Sequence, residues 1–272
     1  EILGAATAAY LMNIPIAHLS GGDLTEGSQD DSMRHSITKL SHLHFATCKS
    51  SAQRIMAMGE EPWRVYTVGC PGIDGLVNTV LLGLSATLQA LNMSGPYYLV
   101  AYQPATLAPD AVDEARELLK ALKILKMPCV FTSLNSDTGS VEIENLFKDF
   151  CRDEKSQIVN MNRKLFLSAM KYCRLMIGNS SSGFYEAPTL QKAFVNVGDR
   201  QKGRLRANSI VDCKPDVKSI VAAVTAAYQL DCSKTVNPYG KGDSARQISL
   251  VIKTLPYSKQ RLLQKRWINN VG

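Results

Sequence analysis

Short apolar runs alternate with longer amphipathic stretches along most of the chain, and this alternation predicts strands that are each followed by a helix. The apolar runs are continuous, which is typical of strands buried on both faces of a parallel sheet. The predicted strands are 16–19, 43–47, 65–68, 97–102, 128–132, 157–160, 174–177 and 193–197. The predicted helices are 2–12, 30–43, 50–58, 110–125, 140–153, 163–172, 183–190, 216–229 and a basic amphipathic tail at 258–267.

The regular order of strands and helices favours an α/β fold with parallel sheets and right-handed crossovers. In such sheets, ligands bind at the carboxyl ends of the strands, so the loops that follow the strands are the candidate sites of chemistry. Residues 83–96, which include Gly83, Gly95 and Pro96, predict a join between two domains.

The composition is that of a globular protein and excludes collagen, coiled coil and bulk disorder. The 272 residues are 45% hydrophobic and 20% charged, which allows a core in each of two domains. The seven cysteines are scattered and never spaced as CxxC, so we expect reduced thiols in a cytoplasmic protein rather than disulfides or a zinc site. The apolar opening stretch is broken by Gly4 and Pro15, so it predicts no membrane span. It has neither a basic region before it nor a small-residue cleavage pattern after it, so a signal peptide is not expected either.

The net charge of +7 favours an acidic partner. The basic residues are dispersed, however, and only Lys202, Arg204 and Arg206 crowd together. Nucleic-acid binding usually needs a basic stripe with aromatic residues, and aromatics make up only 7% of this chain. The sequence therefore favours a small phosphorylated ligand over nucleic acid.

A loop rich in glycine and serine, 178–183, follows the predicted strand at 174–177. It offers backbone N–H groups, the hydroxyls of Ser180, Ser181 and Ser182, and the dipole of the next helix to one anion, which suits a diphosphate. Glu186, one turn into that helix, is placed to accept both hydroxyls of a ribose. The alternative is a helix cap followed by a serine-rich turn.

A second loop, 198–204, follows the predicted strand at 193–197 and carries Arg200, Lys202 and Arg204. Because parallel strands end at the same edge of a sheet, its cations should emerge beside the serine-rich loop and neutralise phosphate charge. The alternative is a solvated basic loop without a ligand.

All four histidines, 18, 35, 42 and 44, lie close in sequence to Asp23, Asp30 and Asp31. Their spacing matches no metal-binding pattern, so no metal ion is expected. Neighbouring carboxylates repel one another, which prepares one of them to exchange a proton, so an acid/base cluster is the hypothesis for this region. Asp30 or Asp31 could instead cap a helix and pair with Arg34.

Four ordered motifs together closely resemble the UDP-hydrolysing UDP-N-acetylglucosamine 2-epimerases, and the resemblance extends over almost the whole chain. They are HLSGGDLTEG at 18–27, DDSMRHSITKLSHLHF at 30–45, GNSSSGFYEAP at 178–188 and NVGDRQKGR at 196–204, with a shorter match, NPYG, at 237–240. The resemblance implies two Rossmann-like domains facing a cleft, as in GT-B glycosyltransferases, the first one incomplete. The implied domains are 1–90, the remainder of the N-terminal domain; 91–252, a UDP-binding domain; and 253–272, a C-terminal helix.

The same resemblance implies a reaction on a UDP-sugar that needs no cofactor. UDP is eliminated from UDP-N-acetylglucosamine to leave a glycal, and water then adds to give N-acetylmannosamine with inverted C2, a step of sialic acid biosynthesis. Asp30 matches the family's catalytic carboxylate, and Asp23 and Asp31 are grouped with it as catalytic candidates. The implied substrate-binding residues are Gln103, Asn135, Ser180, Ser181, Ser182, Glu186, Arg200, Arg34 and His35. A homodimer or higher homo-oligomer is expected, as is common in the family.

Three departures from the family pattern limit what the resemblance implies. Gln103 precedes Pro104 where the family usually has a histidine; a glutamine can hydrogen-bond a phosphate but cannot exchange a proton. Asp23 completes a Gly-Gly-Asp where many members have Gly-Gly-Glu. Glu1 aligns just after a segment that carries a further catalytic aspartate and an arginine, so we expect the 272-residue chain by itself to be inactive.

Several alternatives remain open. One is a related epimerase acting on a UDP-2,4-diacetamido-trideoxyhexose, and another is a non-hydrolysing UDP-N-acetylglucosamine 2-epimerase. A third is a catalytically inactive UDP-sugar-binding module, which Gln103 and the missing segment make credible. A nucleic-acid-binding protein, supported by the net charge alone, would show salt-sensitive binding to DNA or RNA without competition from UDP.

Overall fold

The computed structural model describes residues 1–108, 110–153 and 155–269. The chain is an α/β protein with parallel sheets, as the sequence predicted, and it divides into two compact units. The first unit comprises Glu1–Thr25, Gln29–Asn78 and Pro238–Gly272, and the second comprises Glu26–Ser28 and Thr79–Asn237. In the described part of the chain, no helix is both long enough and apolar enough to cross a membrane.

The first unit contains a sheet of three short parallel strands in the order β1-β2-β3. Its elements up to residue 78 are α1 (Ile2–Leu11), β1 (Ala17–Leu19), α2 (Asp30–Leu40), β2 (Leu43–Ala46), α3 (Lys49–Ala57), a 3-10 helix (Pro62–Arg64), β3 (Val65–Thr67) and α4 (Pro71–Val77). The central strand, β2, is buried along its whole length, with α3 packed against it.

The second unit is built on a six-stranded, all-parallel sheet. Its elements are α5 (Leu84–Ala90), β4 (Tyr98–Ala101), α6 (Ala111–Leu125), β5 (Cys129–Thr132), α7 (Ser140–Asp153), β6 (Gln157–Val159), α8 (Arg163–Tyr172), β7 (Leu175–Gly178), α9 (Ser182–Tyr185), β8 (Phe194–Val197), β9 (Ile210–Cys213) and α10 (Val217–Ala227). The strand order is β6-β5-β4-β7-β8-β9, so successive strands lie on one side of β4 and then on the other. The loops after β4 and β7 therefore flank the switch point of the sheet, where open α/β sheets bind ligands.

Two helices near the C-terminus, α11 (Ser244–Thr254) and α12 (Lys259–Leu263), belong to the first unit. The tail helix predicted at 258–267 is therefore shorter than expected. The buried guanidinium of Arg64 donates to the carbonyl oxygens of Leu262 at 2.8 Å and Gln264 at 2.9 Å. Because these oxygens bond to Arg64 instead of to later N–H groups of the same helix, the helix does not continue.

Two further differences from the sequence prediction lie at proline residues. The helix predicted at 183–190 ends at Tyr185, because Pro188 has no N–H with which to continue it. The helix α4, which the sequence did not predict, begins at Pro71, since proline is well accommodated in the first turn of a helix. The helix α5 lies inside the segment predicted as a join between domains, and β9 and α11 were also not predicted.

A buried group of charges ties the C-terminal segment to the rest of the first unit. The carboxylate of Glu60 lies 2.5 Å from the ammonium of Lys39, 2.8 Å from that of Lys265 and 3.1 Å from the imidazole of His44. Burial favours the neutral acid, but the hydrogen bonds from His44, Lys265 and Lys39 hold the pKa of Glu60 at about 2. Glu60 is therefore ionised at neutral pH.

The first unit should lose stability as the pH falls from about 6.5 towards 4. Burial lowers the pKa of His18 to about 4, and burial together with the nearby Lys265 lowers the pKa of His42 to about 4. Unfolded histidines titrate near pH 6.5, so the neutral imidazoles stabilise the fold fully above that pH and lose this effect as the pH approaches 4. We expect the thermal midpoint to fall by about 5 °C between pH 6.5 and 5.

A His42→Gln variant is the control for this pH dependence, because glutamine can still accept the hydrogen bond that the N–H of Ile16 donates to His42. Part of the pH-dependent fall in the midpoint should disappear in this variant. Equal midpoints at pH 6.5 and 5 in the unaltered protein would contradict the assignment of neutral, buried histidines.

Candidate functional site

The loop rich in glycine and serine leaves the sheet at the end of β7. Gly178 has a φ of 137°, and a Cβ at this position would collide with the carbonyl oxygen of Ala101. Glycine is therefore required for the loop to lie against the end of β4. The same carbonyl accepts the N–H groups of Asn179 and Ser180, both at 3.1 Å. The three serines, 180–182, are partly exposed at the switch point between β4 and β7.

Asn179 is buried and joins the loops that follow β4, β7 and β8. Its Oδ1 accepts the N–H of Gln103 at 2.7 Å, and its Nδ2 donates to the carbonyl of Gln103 at 2.8 Å. Its own carbonyl accepts Nε2 of Gln201 at 2.8 Å and Nη1 of Arg200 at 3.3 Å. These bonds place the guanidinium of Arg200 next to the serine loop.

Gln103 lies just beyond β4 and contacts the loop after β5. Its Nε2 donates to the carbonyl of Ser133 at 3.2 Å, and its Oε1 accepts the N–H of Asn135 at 2.7 Å. Asn135 is exposed and lines a pocket of about 570 Å³ that is formed by residues between 134 and 144. Gln103 and Asn135, both predicted as substrate contacts, are therefore neighbours.

Glu186 is buried just beyond the three serines. Its carboxylate lies 3.5 Å from Nη1 of Arg163. Burial raises the pKa of Glu186, and Arg163 opposes that rise. The side chain of Asn237 donates to the carbonyl of Tyr185 and to the hydroxyl of Thr189, both at 2.7 Å. These two bonds hold the turn that carries Glu186.

Two pockets of the second unit border this edge of the sheet. One, of about 170 Å³, has a mixed lining, in which Val159, Met161 and Phe166 provide apolar surface and Ser180 is one of the polar residues. The other, of about 410 Å³, is lined by Arg200 together with Lys202, Glu26 and Glu114. The first pocket offers apolar surface beside the serine loop, whereas the second is lined by both cationic and acidic groups. The cation next to the serine loop is therefore the guanidinium of Arg200.

Asp23 lies in the first unit, and its buried carboxylate links the end of β2 to α3. Its Oδ1 accepts the hydroxyls of Thr47 and Ser51, both at 2.6 Å. Its backbone carbonyl accepts Nη1 of Arg34 at 3.1 Å. The predicted catalytic role of Asp23 stays a prediction, and these contacts favour a role in positioning its neighbours.

The two adjacent carboxylates at the start of α2 have different surroundings. Oδ1 of Asp31 accepts the N–H of Thr25 at 2.5 Å and lies 3.4 Å from Nη1 of Arg34, and Oδ2 lies 3.4 Å from Nε2 of His35. Asp30 is exposed, and its carboxylate has no hydrogen-bond or ion-pair partner among the described residues. Asp31 therefore pairs with Arg34, as the alternative had it, but it accepts an N–H from the preceding loop instead of capping α2, which has no side-chain cap. The carboxylate of Asp30 is accessible to a ligand.

The sequence did not identify three side-chain amides that organise the site, those of Asn179, Gln201 and Asn237. All three lie within the quoted motifs, and a buried amide must find hydrogen-bond partners, which is a usable signal. The partner of Asn179 lies 76 residues away in the chain, so the sequence alone does not indicate it. Within the described residues, no group of three or more His, Cys, Asp or Glu side chains could hold a metal ion.

Comparison with known proteins supports the resemblance carried by the motifs. A sequence model of the UDP-N-acetylglucosamine 2-epimerase family matches residues 1–253. The chain is 39% identical to the hydrolysing GDP/UDP-N,N'-diacetylbacillosamine 2-epimerase of Campylobacter jejuni, over 78% of this chain and 57% of that protein. It is 33% identical to polysialic acid biosynthesis protein P7 of Escherichia coli, over 96% of this chain and 69% of that protein. The chain thus spans little more than half of the first of these relatives.

The fold is similar to that of a UDP-GlcNAc 2-epimerase from Methanocaldococcus jannaschii, whose structure was solved in complex with UDP-GlcNAc and UDP. The TM-score is 0.79 with 17% sequence identity, over 93% of this chain and 72% of that one. At this level of identity the likeness extends to the fold, which is of the GT-B-like type that the motifs implied.

Proposed function

We propose, since the chain belongs to the UDP-N-acetylglucosamine 2-epimerase family, that it acts on a UDP-activated 2-acetamido sugar, inverts C2 and releases UDP. One observation supports nucleotide binding most directly. The serine loop, Arg200 and Glu186 come together at the carboxyl-terminal edge of one parallel sheet, beside its switch point. Hydroxyls, backbone N–H groups and a guanidinium suit a diphosphate, and a neighbouring carboxylate suits a ribose.

In the proposed complex, the diphosphate contacts the serine loop and the guanidinium of Arg200. Glu186 accepts the ribose hydroxyls, and Arg163 at 3.5 Å favours its charged form. The pyrimidine occupies the pocket of about 170 Å³, where Phe166 and Met161 provide apolar surface next to Ser180. In this binding mode the protein contacts both the apolar face of the pyrimidine and the charged diphosphate.

The proposed reaction removes the proton from C2 while the bond between C1 and the diphosphate oxygen breaks. The resulting glycal then takes up one water, which supplies a hydroxyl to C1 and a proton to the opposite face of C2. The products are UDP and a free 2-acetamido sugar of inverted configuration. Asp30 is our candidate for proton exchange, because its carboxylate is exposed while that of Asp31 is occupied by Thr25, Arg34 and His35.

Two sugars are candidates for the substrate. The first is UDP-N-acetylglucosamine, which would give N-acetylmannosamine. The second is a UDP-2,4-diacetamido-trideoxyhexose, and the 39% identity to an enzyme named for diacetylbacillosamine supports it. The two substrates differ at C4, which carries a hydroxyl in one and an acetamido group in the other, and at C6, which is a methyl group in the trideoxyhexose. Both can be compared in one assay.

The test is to incubate each UDP-sugar with the protein in deuterated water and to follow the products by NMR. Both this chain and a version extended to the length of its relatives are assayed, since the chain spans 57% of the first of these relatives. A free sugar with inverted C2, deuterium at C2 and equimolar UDP would support the proposal. An epimerised UDP-sugar without free UDP would indicate a non-hydrolysing epimerase, and UDP binding without turnover in either version would indicate a binding module.

Replacing Arg200 by Ala should weaken UDP binding by about 10- to 150-fold. A hydrogen bond to a charged group contributes roughly 1.5 to 3 kcal/mol, and about 1.4 kcal/mol corresponds to a factor of ten in affinity. Isothermal titration calorimetry measures the change. Arg206→Ala is the matched control, because Arg206 is paired with Asp212, and its removal should change the affinity less than about threefold. An equal loss in both variants would assign the effect to overall charge.

A further inference from the structure

The primary amide of Gln103 is engaged at both ends by one neighbouring loop. Its nitrogen donates to the carbonyl of Ser133, and its oxygen accepts the N–H of Asn135. The backbone of Gln103 is bound in the same way by the side-chain amide of Asn179. Only 8% of Gln103 is exposed. The residue is therefore held from two sides, and it holds the loop after β5 in turn.

The chain after β4 explains why a side chain performs this task. The last paired residues of β4 and β5 are Val100 and Phe131. Pro104 follows soon after and has no N–H, so the backbone cannot extend the ladder to the loop at 133–135. A primary amide carries the same donor and acceptor as a peptide group. The side chain of Gln103 thus continues the pairing where the backbone cannot.

We propose that Gln103 is a positioning residue that fixes the loop at 133–135 and thereby sets the exposed side chain of Asn135 for the ligand. In this role Gln103 acts on the nucleotide-sugar through Asn135, without touching the phosphate. The inference rests on the proposed function and deepens it. This role suits a glutamine, because its amide can hydrogen-bond to the loop but cannot exchange a proton.

The first test needs no ligand. In a Gln103→Met variant, which keeps the length of the side chain but removes its donor and acceptor, hydrogen exchange at the N–H of Asn135 should accelerate about tenfold. Gln191→Met is the matched control, since Gln191 also donates to a backbone carbonyl, that of Ser233, but contacts a different loop. Unchanged exchange at Asn135 in the Gln103 variant would overturn the proposal, whether or not the protein binds UDP.

The second test asks whether Gln103 acts through Asn135. Gln103→Met should weaken UDP binding about tenfold in the unaltered protein and less than about twofold in an Asn135→Ala background. Equal losses in the two backgrounds would mean that Gln103 contacts the nucleotide directly, and this result would overturn the inference. Faster exchange at Asn135 without any change in UDP affinity would overturn it too, because the loop would then have no role in binding.

A second variant tests the inference in case Gln103→Met folds poorly. Gln103→Asn keeps the amide, but its side chain is one methylene shorter and cannot reach both Ser133 and Asn135. It should therefore show the same faster exchange at Asn135 and the same loss of UDP affinity. A protein that binds no UDP in any form would contradict the proposed function, whereas the exchange at Asn135 would still decide whether Gln103 holds the loop.

Discussion

Turnover of the UDP-sugar should fall by about 100-fold or more when Asp30 is replaced by Asn, while UDP affinity changes less than about twofold. The substitution keeps the shape of the side chain and removes its ability to exchange a proton. The carboxylate is exposed in the first turn of α2 and has no partner among the described residues, so its loss should not disturb the fold. Steady-state kinetics in a form of the protein that turns over, together with calorimetry of UDP binding, measure the two effects.

Asp31→Asn is the matched control for Asp30→Asn. It removes a neighbouring charge of the same kind, but one that pairs with Arg34 and His35. We expect Asp31→Asn to lower the thermal midpoint of the first unit and to keep a near-normal turnover, whereas Asp30→Asn should lower turnover and leave the midpoint unchanged. A near-normal rate in Asp30→Asn would show that this carboxylate does not exchange the proton.

The first unit should lose about 3 to 5 kcal/mol of unfolding free energy when Arg64 is replaced by Met. The guanidinium is fully buried and donates to the carboxylate of Glu61 at 2.7 Å and to the carbonyls of His42 at 3.0 Å, Leu262 at 2.8 Å and Gln264 at 2.9 Å. Methionine fills much of the space, but it cannot donate a hydrogen bond. The negative charge of the largely buried Glu61 is then less well balanced, and the carbonyl oxygens lose the donor that Arg64 supplies.

Urea unfolding followed by tryptophan fluorescence suits this measurement, because the two tryptophans of the chain, Trp63 and Trp267, both belong to the first unit. Arg116→Met is the matched control for the ion pair. Arg116 also pairs with an acid three residues earlier, Asp113, but both side chains are more than half exposed, so the loss should stay below about 1 kcal/mol. Since Arg116 lies in the second unit, its variant is followed by circular dichroism. Similar losses of unfolding free energy in both variants would mean that the burial of Arg64 does not add to its contribution to stability.

The carboxylates of the first unit show how far a motif can be interpreted without a structure. The sequence grouped Asp23, Asp30 and Asp31 as one acid/base cluster, because residue types and spacing do not reveal which of them is already hydrogen-bonded. The structure separates them, since Asp23 is bound by Thr47 and Ser51 while Asp31 is bound by Thr25. These partners are brought to the aspartates by the folding of β2 and the loop before α2.

Three of the elements that the sequence missed are short. The helices α4 and α5 have seven residues each and β9 has four, so their apolar periodicity covers too few positions to be distinguished from a loop. The helix α11 was missed although it has eleven residues. In the tail, the predicted helix is interrupted by Arg64, which lies about 200 residues earlier in the chain. A local pattern carries no information about such a partner.

The sequence by itself determined the alternation of strands and helices, the parallel sheets, and the motifs from which the family was identified, because apolar periodicity and loop composition are local properties. It also placed the serine loop and Arg200 at the same edge of a sheet, since both follow predicted parallel strands. Only the tertiary structure decided that β7 lies beside β4, so that Asn179 joins Gln103 to the loop of Arg200. Strand order and buried hydrogen bonds depend on long-range packing, in which residues far apart in the chain satisfy one another's polar groups.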